Sequence, residues 1–331
     1  METPMPQPIQ PETSSASPHS VIAHNMVGAI ALILIILATI TIAMQYQPSP
    51  GKSIAHAQAA AAALATDPFV STAILARSAI VVDLTDRKTL YSKNPDAQLP
   101  LASLAKIPLA LVVAQAMPLD TVVTIPRDTA PRGSVERLAR GEKWRIQDII
   151  DFTLVASSNG GAEILSEIAE GPIRARYPDA PEGSATLWRM NQLAGELRLS
   201  HTYFINPTGL DQSTTLSGAY GTVRDIATLF AFAASSYPTV FNSTAQDGIH
   251  LNSVNGGRTV AYNTNEALSD IPGLIMGKTG ITDLAGGNLA VVFDVAPNHP
   301  VVAIVLGSTR EGRFDDMRVL VGRTQKALLN N

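Results

Sequence analysis

Apolar positions recur along this chain with two periods. Alternating or β-branched runs predict strands at Ala79–Asp83, Thr121–Ile125, Asn288–Val295 and Val301–Ser308. The first of these runs through the turn-compatible residues 84–89 into Leu90-Tyr91, which predicts a β-hairpin. Spacings of three and four predict helices over Arg145–Ala156, Gly161–Glu170, Trp188–Leu197, Thr222–Ala234 and Arg313–Leu329. Pro126–Lys143 reads as an irregular surface segment, and Phe204-Ile-Asn-Pro-Thr-Gly-Leu-Asp211 carries turn chemistry throughout. Strands at both ends with helices between them predict an α+β fold, one antiparallel β-sheet flanked by helices with an inserted all-α region.

The first third is organised differently. Residues 1–25 are rich in Pro, Ser, Gln and Thr and hold no Lys or Arg, so they cannot bury enough apolar surface to order themselves and read as a disordered tail. Residues 26–44 are apolar and uncharged, about the length that crosses ~30 Å of hydrocarbon, and are expected to form a transmembrane helix or signal anchor. A cleaved signal peptide is the alternative, with Ala55-His-Ala57 as its site, but the basic n-region it needs is missing. Residues 45–77, rich in Ala and Pro, read as a spacer, and the catalytic domain is expected over 78–331. The first basic residue, Lys52, weakly places its side of the span in the cytoplasm by the positive-inside rule; the chemistry below points the other way.

The 331 residues are 46% hydrophobic and 16% charged, with a formal net charge of -4. That excludes the clustered cations a nucleic-acid partner needs. The absence of cysteine removes disulfides, thiolate nucleophiles and Cys-based zinc sites, and the six histidines show no ligand spacing. Neither a metal nor a cofactor is expected.

Candidate chemistry begins at Leu99–Val113, where Ser103 and Lys106 stand three residues apart at the head of an apolar run. On a helix such a pair shares one face. A serine hydroxyl is a poor nucleophile, and a lysine can take its proton only if that lysine is itself neutral part of the time. Burial among Leu104, Ile107 and Leu109, with a second cation such as Lys278 nearby, favours this. Two further elements follow in order, Ser157-Ser-Asn159 and Lys278-Thr279-Gly280. Ser157 suits a proton relay to the leaving group, and the Asn159 amide suits the substrate backbone and Lys106. Lys278 and Thr279 suit a terminal carboxylate, and Gly280 lets a substrate strand lie close to the sheet edge. The backbone N–H groups of Ser103 and Ile281 would form an oxyanion hole.

The succession Ser-x-x-Lys, Ser-x-Asn, Lys-Thr-Gly marks β-lactamases and penicillin-binding proteins. Residues 94–106, Phe204-Ile-Asn-Pro-Thr-Gly-Leu210 and Gly277-Lys-Thr-Gly-Ile-Thr-Asp-Leu-Ala-Gly-Gly-Asn-Leu289 resemble the D-alanyl-D-alanine carboxypeptidase family of low-molecular-mass penicillin-binding proteins, over roughly 78–308. The resemblance implies a β-lactamase/transpeptidase-like fold. It also implies an extracytoplasmic serine peptidase that acts on peptidoglycan stem peptides ending in D-Ala-D-Ala and is acylated by β-lactam antibiotics. Such a protein would be a single-pass component of the cell membrane with its catalytic domain outside. A D,D-endopeptidase, a β-lactamase and a non-catalytic penicillin sensor are the alternatives. A β-lactamase generally keeps a Glu-held water; a Glu-x-x-x-Asn element is missing, although Glu196 lies in the right region.

Other residues carry plainer readings. Asn206–Gly209 is either a tight turn or a direct substrate contact. Pro108 removes a helical N–H donor and is closer to the β-lactamase and transpeptidase pattern. Arg224-Asp225 and Arg313–Arg318 read as solvated helix faces, Trp144 and Trp188 as packing residues, and His201 and His250 as without a catalytic partner.

Overall fold

The computed structural model of the chain describes residues 34, 36–42, 67–126 and 138–329. The chain divides into two units, residues 1–66 and 67–331. Of the first, residues 36–42 form a short exposed helix. No described helix is long and apolar enough to cross a membrane. The expected tail, most of the expected span and the spacer up to residue 66 lie outside the described residues, as does most of the irregular segment within Pro126–Lys143.

The second unit starts at Asp67, ahead of the expected boundary at Ser78. Its first residues are tied down by contacts distant in sequence. Phe69 stacks on Tyr91 at 5.5 Å between ring centres, and the N–H groups of Leu75 and Ala76 donate to the buried carboxylate of Asp316 at 2.8 Å each. Nothing in the local pattern of residues 67–77 announces those partners.

In chain order the elements are β1 (Ser78–Asp83), β2 (Lys88–Lys93), β3 (Leu99–Pro100), α1 (Lys106–Ala116), β4 (Val122–Thr124), β5 (Lys143–Arg145), α2 (Ile146–Val155), α3 (Asn159–Arg176) and α4 (Ala185–Glu196). They continue with β6 (Tyr203–Phe204), β7 (Ala219–Gly221), α5 (Val223–Ser236), β8 (Gly248–Asn252), β9 (Arg258–Tyr262), β10 (Leu274–Thr282), β11 (Gly286–Asp294), β12 (Pro300–Ser308) and α6 (Gly312–Leu329). The main sheet has the order β10-β11-β12-β1-β2, with every neighbouring pair antiparallel.

Both faces of this sheet are covered, which explains why β11 and β12 read as nearly continuous apolar runs. Ile80, Met276, Ala290, Val292, Val302, Ile304 and Leu306 join the core that includes α1 to α5. The alternate residues Val81, Leu289, Val291, Phe293, Ala303 and Val305 pack with Phe314, Met317 and Leu320 of α6. Helix α1 is buried at every position from Lys106 to Val113, so it has no polar face and serves as the central post of the helical region.

Four of the five expected helices appear close to their expected bounds, and Thr222 caps α5 by accepting from Asp225 N. The fifth, α3, runs past Glu170 to Arg176 and contains Pro172. Glu170 meanwhile accepts from the N–H groups of Ala185 and Thr186 at 3.0 Å and so caps α4. The strands β8, β9 and β10 were not expected from the pattern; β10 lies at the sheet edge and interrupts its apolar residues with Gly277, Lys278, Thr279 and Gly280.

Candidate active site

Ser103 lies in a 3-10 turn, Ala102–Ala105, that leads directly into α1, and Lys106 is the first residue of α1. The change of helix type at this junction keeps the pair together: Lys106 Nζ is 2.8 Å from Ser103 Oγ. Ala102, just before the serine, has a left-handed backbone with φ of 50°. Pro108 falls in the first turn of α1, whose N–H groups have no intrahelical acceptor, so its missing donor costs the helix little.

Lys106 also donates to Asn159 Oδ1 at 2.8 Å and to the Thr208 carbonyl at 2.9 Å. Both are acceptors, so each takes an N–H of the amine. The direction toward Ser103 is then the one in which a neutral amine presents its lone pair, and it meets the serine O–H there. This is the geometry a general base needs.

The Thr208 carbonyl is the partner that sequence reasoning missed. Asn206 Oδ1 accepts from Thr208 N, Thr208 Oγ1 and Gly209 N at 3.1, 2.9 and 2.7 Å, and its Nδ2 donates to Leu210 O at 2.9 Å. Gly209 has a φ of 76°, and a side chain on it would overlap the Ala102 carbonyl. The Asn-Pro-Thr-Gly-Leu stretch is thus a turn, and its work is to press one carbonyl onto Lys106. Asp211, next in the chain, holds the tip of the β10–β11 hairpin by accepting from Thr282 Oγ1 at 3.0 Å and Leu284 N at 3.1 Å.

The Ser157-Ser-Asn159 knot divides its labour by position. Ser158 accepts from Gly161 N at 2.8 Å as the N-cap of α3. Asn159 is the first residue of that helix, and Ser157 sits before it with φ of 54°. Such a backbone costs about 1–3 kcal/mol and persists only where its surroundings enforce it. It turns Ser157 Oγ to Lys278, whose Nζ donates to it at 2.7 Å and to Thr279 O at 2.9 Å.

Lys106 is fully buried and Lys278 is 2% exposed. Burial, followed by the neighbouring charges of Lys106 and Arg313, pushes the Lys278 amine well below the usual lysine range. Thr279 is buried, with its hydroxyl 2.5 Å from that of Thr264.

Gly280 has a reason that precedes any substrate. A Cβ there would stand 2.8 Å from Leu101 O and 3.3 Å from Ser103 N, so its absence lets the edge strand close on the turn that carries the serine. Ile281 follows on the same strand. The Gly280 carbonyl accepts from Arg313 Nη1 at 2.9 Å. Arg313 is 4% exposed, which corrects its reading as part of a solvated helix face; a helical period cannot show that the sheet edge covers it. Asp225 is corrected likewise: it is buried and accepts from His201 N and Thr202 Oγ1. Arg224 and Arg318 are solvated as expected. Glu196 is 55% exposed and paired with Arg189 at 2.8 Å, turned to solvent.

A family profile described as D-alanyl-D-alanine carboxypeptidase matches residues 61–310. The D-alanyl-D-alanine endopeptidase of Escherichia coli (strain K12) is 30% identical over 240 residues, covering 70% of this chain and 71% of that one. The D-alanyl-D-alanine carboxypeptidase DacB2 of Mycobacterium tuberculosis is 29% identical over 238 residues, covering 72% and 77%. Among solved structures, penicillin-binding protein D2 of Listeria monocytogenes in its ampicillin-bound form superposes with a TM-score of 0.64 at 26% identity, covering 76% of this chain and 98% of that one.

Proposed function

The chain belongs to the D-alanyl-D-alanine carboxypeptidase family, and from that premise we propose that it trims peptidoglycan stem peptides ending in D-Ala-D-Ala through an acyl-enzyme on Ser103. The observation that carries the reading is the unbroken set of short bonds from Asn159 and Thr208 through Lys106 to Ser103, beside the Lys278–Ser157 bond.

Lys106 takes the Ser103 proton as Oγ attacks the carbonyl of the penultimate D-alanine. The oxyanion is received by the N–H groups of Ser103 and Ile281, each such donor being worth ~2.7–4 kcal/mol. Ser157, already bonded to Lys278, passes its proton to the departing amine and takes up the one that Lys106 removed from Ser103, which returns Lys106 to the neutral amine. Lys278 and Thr279 hold the carboxylate of the leaving D-alanine, the lysine by charge and the threonine by donation, and Asn159 and the Gly280 edge hold the peptide. Water then hydrolyses the ester, with Lys106 as base. A β-lactam presents a strained amide and a carboxylate in the same relation, so it acylates the same serine. The β-lactamase alternative loses support because Glu196 is directed away to Arg189.

The endopeptidase reading is kept as a second one, because the Escherichia coli relative bears that name. We also propose that residues 26–44 anchor the protein in the cell membrane as a single-pass helix with residues 67–331 outside. Support comes from the uncharged run itself and from the location of the substrate. Loss of the catalytic unit on adding protease to intact spheroplasts is expected, and protection would refute this placement.

Full-length protein in detergent, given diacetyl-Lys-D-Ala-D-Ala, is expected to release D-alanine, and Ser103→Ala to abolish release. Faster cleavage of cross-linked muropeptide dimers would favour the endopeptidase. Nitrocefin turnover without D-alanine release would replace the reading by a β-lactamase, and stable acylation by fluorescent penicillin without turnover of either would make the protein a sensor.

A further inference from the structure

Thr264 belongs to none of the three motifs, yet its hydroxyl lies 2.5 Å from that of Thr279. The backbone around it is braced on several sides. Thr264 N donates to Val155 O at 3.3 Å, and Asn263 N donates to Asp247 O at 2.7 Å. Asn263 Nδ2 donates to Thr244 O at 2.9 Å and Gln246 O at 2.8 Å, while Asn263 Oδ1 accepts from Asn265 N at 2.9 Å. Thr244 is itself tied to β10, accepting from Gly277 N at 3.1 Å. The Thr264 hydroxyl is therefore held in place against the strand that carries the Lys-Thr-Gly motif.

Each hydroxyl has a single proton, so one member of this pair donates and the other accepts. Were Thr279 the donor, its proton would be spent on Thr264 and only lone pairs would face a substrate. A carboxylate accepts and never donates, and it would be repelled by such a group. Donation from Thr264 to Thr279 frees the Thr279 proton for the carboxylate, and a chain of two such bonds strengthens the second. We propose that Thr264 is a positioning residue that fixes Thr279 as a hydrogen-bond donor, so that the site selects leaving groups bearing a free carboxylate over amidated ones. This rests on the reading of Lys278 and Thr279 as the carboxylate clamp.

The test compares the full chain with Thr264→Val, which keeps the shape and removes the proton, and with Thr264→Ser, which keeps the proton. Diacetyl-Lys-D-Ala-D-Ala and its C-terminal amide are the substrates. For Thr264→Val, KM for the free acid is expected to rise about three- to tenfold, the range one hydrogen bond supplies. Its kcat should stay within about twofold, the amide should respond little, and Thr264→Ser should behave as the parent. Equal changes for acid and amide, a fall in kcat alone, or failure of serine to rescue would overturn the proposal. Acylation rates with benzylpenicillin and its methyl ester give the same comparison without peptide turnover. A protein that releases no D-alanine but still shows the acid-selective loss would overturn the peptidase reading and leave the role of Thr264 standing. If Thr264→Val is poorly folded by circular dichroism, Thr264→Ala is read in its place with the same expectations.

Discussion

Gly209 shows how narrowly a single position can be constrained. Its φ of 76° is available to glycine at little cost, and the space where a Cβ would sit is filled by the carbonyl of Ala102, the neighbour of Ser103. Gly209→Ala has to move either the 206–211 turn or the turn bearing the nucleophile. The first shift withdraws the Thr208 carbonyl from Lys106, and the second displaces Ser103. We expect a loss of about 3 kcal/mol or more in stability, combining left-handed strain with the overlap. The D-alanine release rate should drop by at least about a hundredfold, as misplacements near 1 Å do. Gly322 in α6 has open space around its would-be Cβ, so Gly322→Ala should instead add about 0.5–1 kcal/mol by restricting the unfolded chain. Urea melts of the two variants check both signs.

Elements in this protein are joined by a few buried polar groups that no periodicity reveals. Asp316 of α6 accepts from Leu75 N, Ala76 N and, at 2.7 Å, Ser308 Oγ, so one carboxylate ties the start of the compact unit, β12 and α6 together. Asp316→Ala would leave the buried N–H of Ala76 unpaired, at about 1–3 kcal/mol, and would release the less buried N–H of Leu75 as well. Its thermal midpoint should fall by far more than that of Asp315→Ala, a neighbour 71% exposed and bonded to Arg318; equal melting of the two would remove Asp316 from this role. The same contrast explains what was legible in the sequence. Helices α2 and α5 were readable because their periods record burial on one face, and strands β11 and β12 because their nearly continuous apolar runs record burial on both. The start at Asp67, the edge strand β10 and the burial of Arg313 were not, because each depends on a partner far along the chain. The catalytic motifs were legible as residue types in order. Thr208 could not be found in that way, since it contributes a backbone carbonyl and any residue has one. Thr264 was equally hidden, one hydroxyl among many until the fold sets it against Thr279.

At the scale of the whole molecule, the site lies where the helical region meets the edge of the sheet, and it places two lysines side by side out of water. That arrangement should destabilise the fold in a pH-dependent way. The folded-state pKa of Lys278 lies well below its ordinary value of 10.5, because burial and the charges of Lys106 and Arg313 disfavour the ammonium. Between the lowered value and 10.5 the unfolded chain binds more protons than the folded one, so stability rises with pH across that window. The penalty is fully present below the lowered pKa and is gone above the unfolded one. Lys278→Met keeps a straight side chain of similar reach without the charge. It should be more stable than the parent by about 1–4 kcal/mol at neutral pH, the range found when buried charges give way to apolar groups. The advantage should shrink as pH is raised toward 10.5. The variant should also lose productive binding of carboxylate-bearing peptides, so stability and activity move in opposite directions at one residue. Denaturant titrations of both proteins from neutral to alkaline pH decide the matter: a stability difference that does not change with pH, or a less stable variant at neutral pH, would mean that Lys278 is held in the fold at no electrostatic cost.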